Sequence, residues 1–392
     1  MLLLSSLYRR SLVRYNGIIF NLLHLENIMD SKQYSNLIDK ELQDLPIYVF
    51  YYTQQPNLAI TTIYQYLAEY RRFFNWLRET PADIENPDKG NISNAKSNKE
   101  IKLSTLEHLQ ANQVQMFLKE LSFKQNKQST RDSKKTINRT INALRSLFHY
   151  LTVTADLNDG EPYFYRNVML KIPLVKGSKE SISYRNAKYS PMLYMGEKKH
   201  EWLKFIDDQY EHTLSNRARS SFIFNKERDL AIIALLLASG IRVSELVRLN
   251  LKDLNLRERS ILVIRKGNKK DAPLIADWAM PYINSYLEIR EKRYEPAKNE
   301  QALFLTKYAG KAKRIATNTV ERFVGKYSEA FPNGNRTTPH KLRHSLGTEL
   351  YDESKDVMVV ATQLGHTGIS ATDQYIQQSQ VDKQRKQLNK TD

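Results

Sequence analysis

The segment PHKLRHSLGTEL, residues 339–350, carries two histidines four residues apart, His340 and His344. On a helix that spacing puts both rings on one face, as in a zinc-binding helix. The zinc-protease version also needs a glutamate directly after the first histidine, and Lys341 stands there. Arg343 lies in the same turn, and a cation beside a dication is unfavourable. A metal site with His366 as third ligand is therefore the weaker reading. His340 and Arg343, three apart, also share a face and can point at one group. Arg242, in ASGIRVSEL, stands at an expected helix start, where a cation opposes the macrodipole by a few tenths of a kcal/mol. Lys266 sits in RKGNKK, His366 in QLGHTGIS, and Tyr375 nine residues later. Singly, these are a surface arginine, a hairpin lysine and one packing tyrosine among 23. As a set without a carboxylate pair, they suit attack on a phosphodiester. Two arginines can fork onto the non-bridging oxygens, donors typically worth about 3 kcal/mol each in the transition state. A tyrosine nucleophile, with a free pKa of about 10, needs a base, and a histidine can take its proton. A lysine can protonate the departing 5′ oxygen.

The whole chain fits a polyanionic partner. Its 392 residues suggest two domains, and its formal net charge is +17, with basic residues spread along the chain. It has no cysteine, which excludes disulfides, thiol catalysis and cysteine-based metal centres. No apolar run approaches the roughly 18–20 residues of a membrane span, and a cytoplasmic protein without a membrane partner is expected. The N-terminal stretch reads as neither signal peptide nor anchor. Residues 1–28 are read either as an extension upstream of a start at Met29 or as an optional appendage.

Helices must carry most of these residues. In TTIYQYLAEYRRFFNWLRE, Ile63, Leu67, Tyr70, Phe74 and Leu77 recur at helical spacing. In KKTINRTINALRSLFHYL, Ile137, Ile141, Leu144, Phe148 and Leu151 do the same. The opposite face of that second helix holds Asn138, Arg139, Asn142 and Arg145, types that can reach phosphates and base edges or can simply face solvent. Residues 80–100 are turn-forming and read as a mobile loop. Residues 158–193 lack periodicity and read as a basic linker, separating a helical domain at 29–157 from a second domain at 194–392. In the second domain, a buried helix over Lys226–Ser239 stops at Gly240, and a hairpin tipped by Gly267 and Asn268 follows. Helices are expected over 279–294, 317–331, 340–351 and 357–364, with a last one after Ile369. The fold class is mainly α with a small β-sheet.

The segments ASGIRVSEL, RKGNKK, TPHKLRHSLGTEL and QLGHTGISATDQY resemble, in this order and spacing, the active-site boxes of the tyrosine recombinases, or phage integrase family. EPYFYRNV, LSNRA and NKERDLAIIALLLASG narrow the resemblance to single-chain Xer recombinases. The resemblance implies an N-terminal helical core-binding (SAM-like) domain and a C-terminal α+β catalytic domain that clamp double-stranded DNA. It implies a homotetramer on paired sites, no cofactor or metal, and the septal DNA translocase FtsK as an expected partner. It also implies roles. Arg242 and Arg343 clamp the scissile phosphate, and His340 is the base. Lys266 is the acid, His366 binds the phosphate or positions the nucleophile, and Tyr375 forms a 3′-phosphotyrosyl link. The implied task is chromosome-dimer resolution at a dif-like site during cell division. The alternatives are a mobile-element integrase, a non-catalytic DNA-binding protein on the same scaffold, and a metal-dependent nuclease using His340, His344 and His366.

Overall fold

A computed structural model describes residues 28–83, 85–123, 134–176, 181–265 and 268–365. Lys266, His366, Tyr375 and the helix expected after Ile369 lie outside the described residues. The chain divides into two compact units, Met1–Ser178 and Lys179–Asp392.

The first unit contains α1 (Ile28–Leu42), α2 (Ile47–Thr53), α3 (Ile60–Glu79), α4 (Leu103–Glu107), α5 (Ala111–Phe123) and α6 (Lys134–His149). The periodic residues of α3 and α6 are its core: Ile63, Leu67, Tyr70, Phe74 and Leu77 pack with Ile137, Ile141, Leu144 and Phe148. Tyr70 joins the two helices by donating its hydroxyl to the Ala143 carbonyl at 2.9 Å.

Two expectations are corrected here. Within residues 80–100, the described residues 91–98 are held by hydrogen bonds rather than loose, as Ile92 and Ser93 show by donating to the Thr80 and Leu77 carbonyls. Asn98 is fully buried, donates to Asp44 and Asn75 at 2.9 and 2.6 Å, and accepts from Arg78 at 3.3 Å. Much of the expected linker also belongs to a core. Phe164, Val168, Met169 and Ile172 are buried in the first unit. They sit around a 3₁₀ turn, Val168–Lys171, whose three-residue repeat leaves no helical or strand period to read.

The second unit is built on α9 (Asn216–Ser239), around which α8 (Glu197–Asp208) and later helices pack, with α7 (Ile182–Tyr189) preceding them. Every residue of α9 from Arg228 to Ser239 is buried. Each fully buried leucine or isoleucine there contributes roughly 1.5–3 kcal/mol. The helix starts at Asn216, not near Lys226; its first two turns are polar, so they carry no apolar stripe by which to read them as helix. The one-turn helix α10 (Val243–Leu246) follows. Three antiparallel pairs come next: β1 (Leu254–Asn255) with β2 (Ser260–Ile261), β3 (Val263–Arg265) with β4 (Lys269–Asp271), and β5 (Leu305–Tyr308) with β6 (Lys311–Arg314). The remaining helices are α11 (Met280–Tyr294), α12 (Thr317–Ala330), α13 (Pro339–Ser354) and α14 (Val357–Leu364). The fold class is as read, mainly α with small sheets. The β5–β6 hairpin was not legible, because its Ala309–Gly310 turn lacks the Asn-Gly or Asp-Gly signature.

Candidate active site

Three helix ends build the site. α9 ends at Gly240, in the left-handed region at φ 67°. A Cβ there would lie 2.6 Å from Leu364 and 2.9 Å from Leu346, so glycine is needed for both conformation and space. Two residues on, Arg242 occupies the N-cap of α10. An arginine has no acceptor with which to cap. Glu245 instead reaches back and accepts from the Arg242 backbone N–H and from Nη1, both at 2.8 Å. This buried carboxylate offsets the charge that the helix dipole disfavours. The Arg242 side chain keeps 41% of its surface exposed.

α13 starts at Thr338, whose hydroxyl caps the Lys341 N–H, with Pro339 in the first turn. Its one face offers two different groups. His340 is exposed, whereas Arg343 turns inward and is only 2% exposed. Arg343 donates through Nη1 to the Gly240 carbonyl and through Nη2 to the Leu364 carbonyl. The Leu364 carbonyl belongs to the last turn of α14 and the Gly240 carbonyl to the C-cap residue of α9, so two backbone acceptors at helix ends share in holding one buried guanidinium.

The His340 imidazole is held below the ordinary histidine range. Partial desolvation is the main cause, followed by the charges of Arg343, Lys341 and Arg242. Arg343 is one turn after His340 on α13, and its bond to the Gly240 carbonyl brings it to the chain two residues before Arg242. A neutral imidazole at physiological pH is the form that can accept a proton. His344 lies one turn further into the protein, in contact with the Thr348 hydroxyl at 3.3 Å. Burial, then Lys341 and His340, push its pKa down to about 4. Among the described residues no three metal-ligating side chains gather. His344 packs, and its protonation opposes folding. The unfolded chain binds this proton below pH about 6.5 and the folded one only near 4, so stability falls as pH drops through that window. Thermal melts from pH 7 to 4 are expected to show this decline, with His340 adding in the same sense. His344→Gln is expected to flatten the slope, and an unchanged slope refutes the assignment.

The four candidates on α6 divide. Asn138 exchanges two hydrogen bonds with the Val175 backbone, at 3.0 and 2.8 Å, and Arg145 donates to the Ile172 carbonyl. These two hold the returning chain against the helix rather than facing outward, a correction to their reading as part of an open face. Arg139 is exposed but bound to the buried Glu69 at 3.0 Å, and Asn142 is exposed.

Residues 204–381 match the phage integrase family. Over 321 residues, 81% of this chain and 86% of the relative, the sequence is 48% identical to tyrosine recombinase XerS of Streptococcus uberis. The chain belongs to the tyrosine recombinase family. XerS of Streptococcus gordonii is 46% identical over 361 residues, 90% of this chain and 97% of that protein. The fold is shared with solved recombinases. XerH bound to difH substrate matches at TM-score 0.55 and 20% identity, covering 81% of this chain and 76% of that one. The Tn1549 transposon integrase with transposon right-end DNA matches at TM-score 0.53 and 16% identity, covering 86% and 97%. The chain is a site-specific DNA recombinase similar to these XerS proteins, and no described helix is long and apolar enough to cross a membrane.

The sequence reading overlooked Glu245, Arg265 and Gln363. Arg265 is buried beside Glu245 at 3.4 Å, donates to Asp271 at 2.7 Å, and reaches the Gln363 carbonyl at 3.2 Å. The spacing of Glu245, three residues after Arg242 at a helix start, was the available signal.

Proposed function

We propose that this recombinase cuts and rejoins duplex DNA through a 3′-phosphotyrosyl intermediate and resolves chromosome dimers at a dif-like site. The observation that supports this chemistry is that Arg343, one turn after His340 on α13, binds the Gly240 carbonyl two residues before Arg242 and the Leu364 carbonyl at the end of α14. Arg242 and Arg343 bind the non-bridging oxygens and offset the charge that grows in the pentavalent transition state. His340, kept neutral, takes the phenolic proton of Tyr375. The Tyr375 oxygen bonds to phosphorus, the bond to the 5′ oxygen breaks, and Lys266 gives that oxygen its proton. His366 supports the phosphate, and the reverse sequence reseals the strand. No cofactor enters this balance. Lys266, His366 and Tyr375 hold these roles by their place in the sequence boxes.

The 46–48% identity to XerS proteins over most of the chain favours dimer resolution over a mobile-element task. In this reading the enzyme works in the cytoplasm as a homotetramer on paired sites, activated by the DNA translocase FtsK.

The chemistry is tested with DNA selected by the protein from its own genome, nicked so that cleavage is trapped. A covalent adduct is expected to form at full yield in EDTA, with peptide mapping placing the DNA on Tyr375. An adduct that requires a divalent ion, or cleavage with no adduct, overturns the reading.

A further inference from the structure

We infer that Arg265 is a positioning residue for strand cleavage, an inference that rests on the reading of Lys266 as acid to the leaving 5′ oxygen. The Arg265 side chain is 3% exposed and reaches three elements at once. Nε donates to Asp271 Oδ2 across the hairpin at 2.7 Å, pinning the base of the β3–β4 turn. Nη1 meets Glu245 Oε2 at 3.4 Å, and the other oxygen of that carboxylate holds Arg242 at 2.8 Å. Nη2 donates to the Gln363 carbonyl at 3.2 Å, in the last turn of α14. Gln363 extends the join. Its amide donates to the Ser239 and Leu274 carbonyls at 2.9 and 2.8 Å and accepts the Leu274 N–H at 3.3 Å.

Gly365 shows how closely the guanidinium is seated. It caps α14 at φ 61°, and a Cβ on it would lie 2.3 Å from Arg265 Nε and 2.6 Å from Cζ. The backbone thus approaches the guanidinium as only glycine allows.

The three elements are those that carry the proposed chemistry. α10 is preceded at its N-cap by Arg242, β3 runs straight into Lys266, and α14 ends two residues before His366. A buried pair of this kind gives little net stability compared with apolar packing. Its distinctive property is direction: a planar fork fixes three partners at set angles, which a lysine cannot do. Arg265 therefore ties the strands that lead into and out of Lys266 to α10 and α14, and its loss is expected to act on cleavage through that residue.

The test is single-turnover adduct formation by Arg265→Lys, beside DNA binding and thermal melting. Misplacement of the acid by about 1 Å is expected to slow cleavage on the order of 10²-fold, with DNA affinity within about threefold of wild type. The decisive arm replaces the 5′ bridging oxygen with sulfur, whose low thiol pKa lets it leave without an acid. Arg265→Lys and Lys266→Ala are both expected to recover most of their lost rate on this DNA. Such rescue is independent of the folded fraction. Asp271→Asn, at a partly exposed position, is expected to show the same pattern with a smaller loss. Rescue of Lys266→Ala but of neither Arg265→Lys nor Asp271→Asn overturns the positioning role. Failure of rescue in Lys266→Ala itself overturns the acid assignment, and this inference with it.

Discussion

Arg343→Ala is expected to slow covalent adduct formation about 10²–10³-fold, the usual cost of one preorganised donor to a developing charge, while DNA affinity changes only a few fold. Ground-state binding is spread over many phosphate contacts in a protein of net charge +17, so one cation matters little to it. Only interactions stronger in the transition state accelerate the step. The structure adds a second consequence. The two carbonyls to which Arg343 donates, those of Gly240 and Leu364, lie at buried helix ends. Truncation leaves them unpaired, at roughly 1–3 kcal/mol for each buried polar group. The melting temperature is therefore expected to fall too, and rates must be normalised to folded protein. Arg343→Lys separates the effects: it keeps the charge near the helix ends but loses the fork, so stability recovers more than cleavage. If affinity fell as much as the cleavage rate, Arg343 would be a binding residue and the transition-state role would fail.

Much of this site was legible because chemistry constrains types and spacing together. His340 and Arg343 were readable as one helix face, and Gly240 as a helix stop, since both follow from local geometry. The apolar periods of α3 and α6 likewise named the residues that form the first core. What stayed hidden depends on distant chain segments. Arg265 looked like any hairpin residue, because its partners Glu245 and Gln363 lie 20 and 98 positions away. Asn138 and Arg145 looked exposed, because the segment that covers them returns from residues 172–175. The 3₁₀ turn that carries Val168 and Met169 hid its burial by having neither strand nor α-helical period. Local rules find groups that act along one element, while ties between elements require the fold.

Tyr375→Phe is expected to abolish adduct formation while leaving DNA binding unchanged. The substitution removes one oxygen and preserves the ring, so packing is the least disturbed of any change at this position. Four buried tyrosines of the described residues are poor substitutes. Tyr48, Tyr70 and Tyr286 donate their hydroxyls to backbone carbonyls, and Tyr327 donates to Asp229 at 2.6 Å. Burial raises the pKa of each of these phenols, Tyr286 to about 12, so none yields its proton readily. His340 keeps its ability to accept a proton in the variant, because its lowered pKa comes from desolvation and cations on its own unit. The intact base and clamp could then activate water, and a slow nick without covalent attachment is the residue of activity to expect. Denaturing gels of the trapped substrate distinguish the outcomes, with shifted protein–DNA bands for an adduct and a shortened free strand for hydrolysis. An adduct at wild-type yield from Tyr375→Phe would move the nucleophile to another hydroxyl and would detach His340 from the role assigned to it.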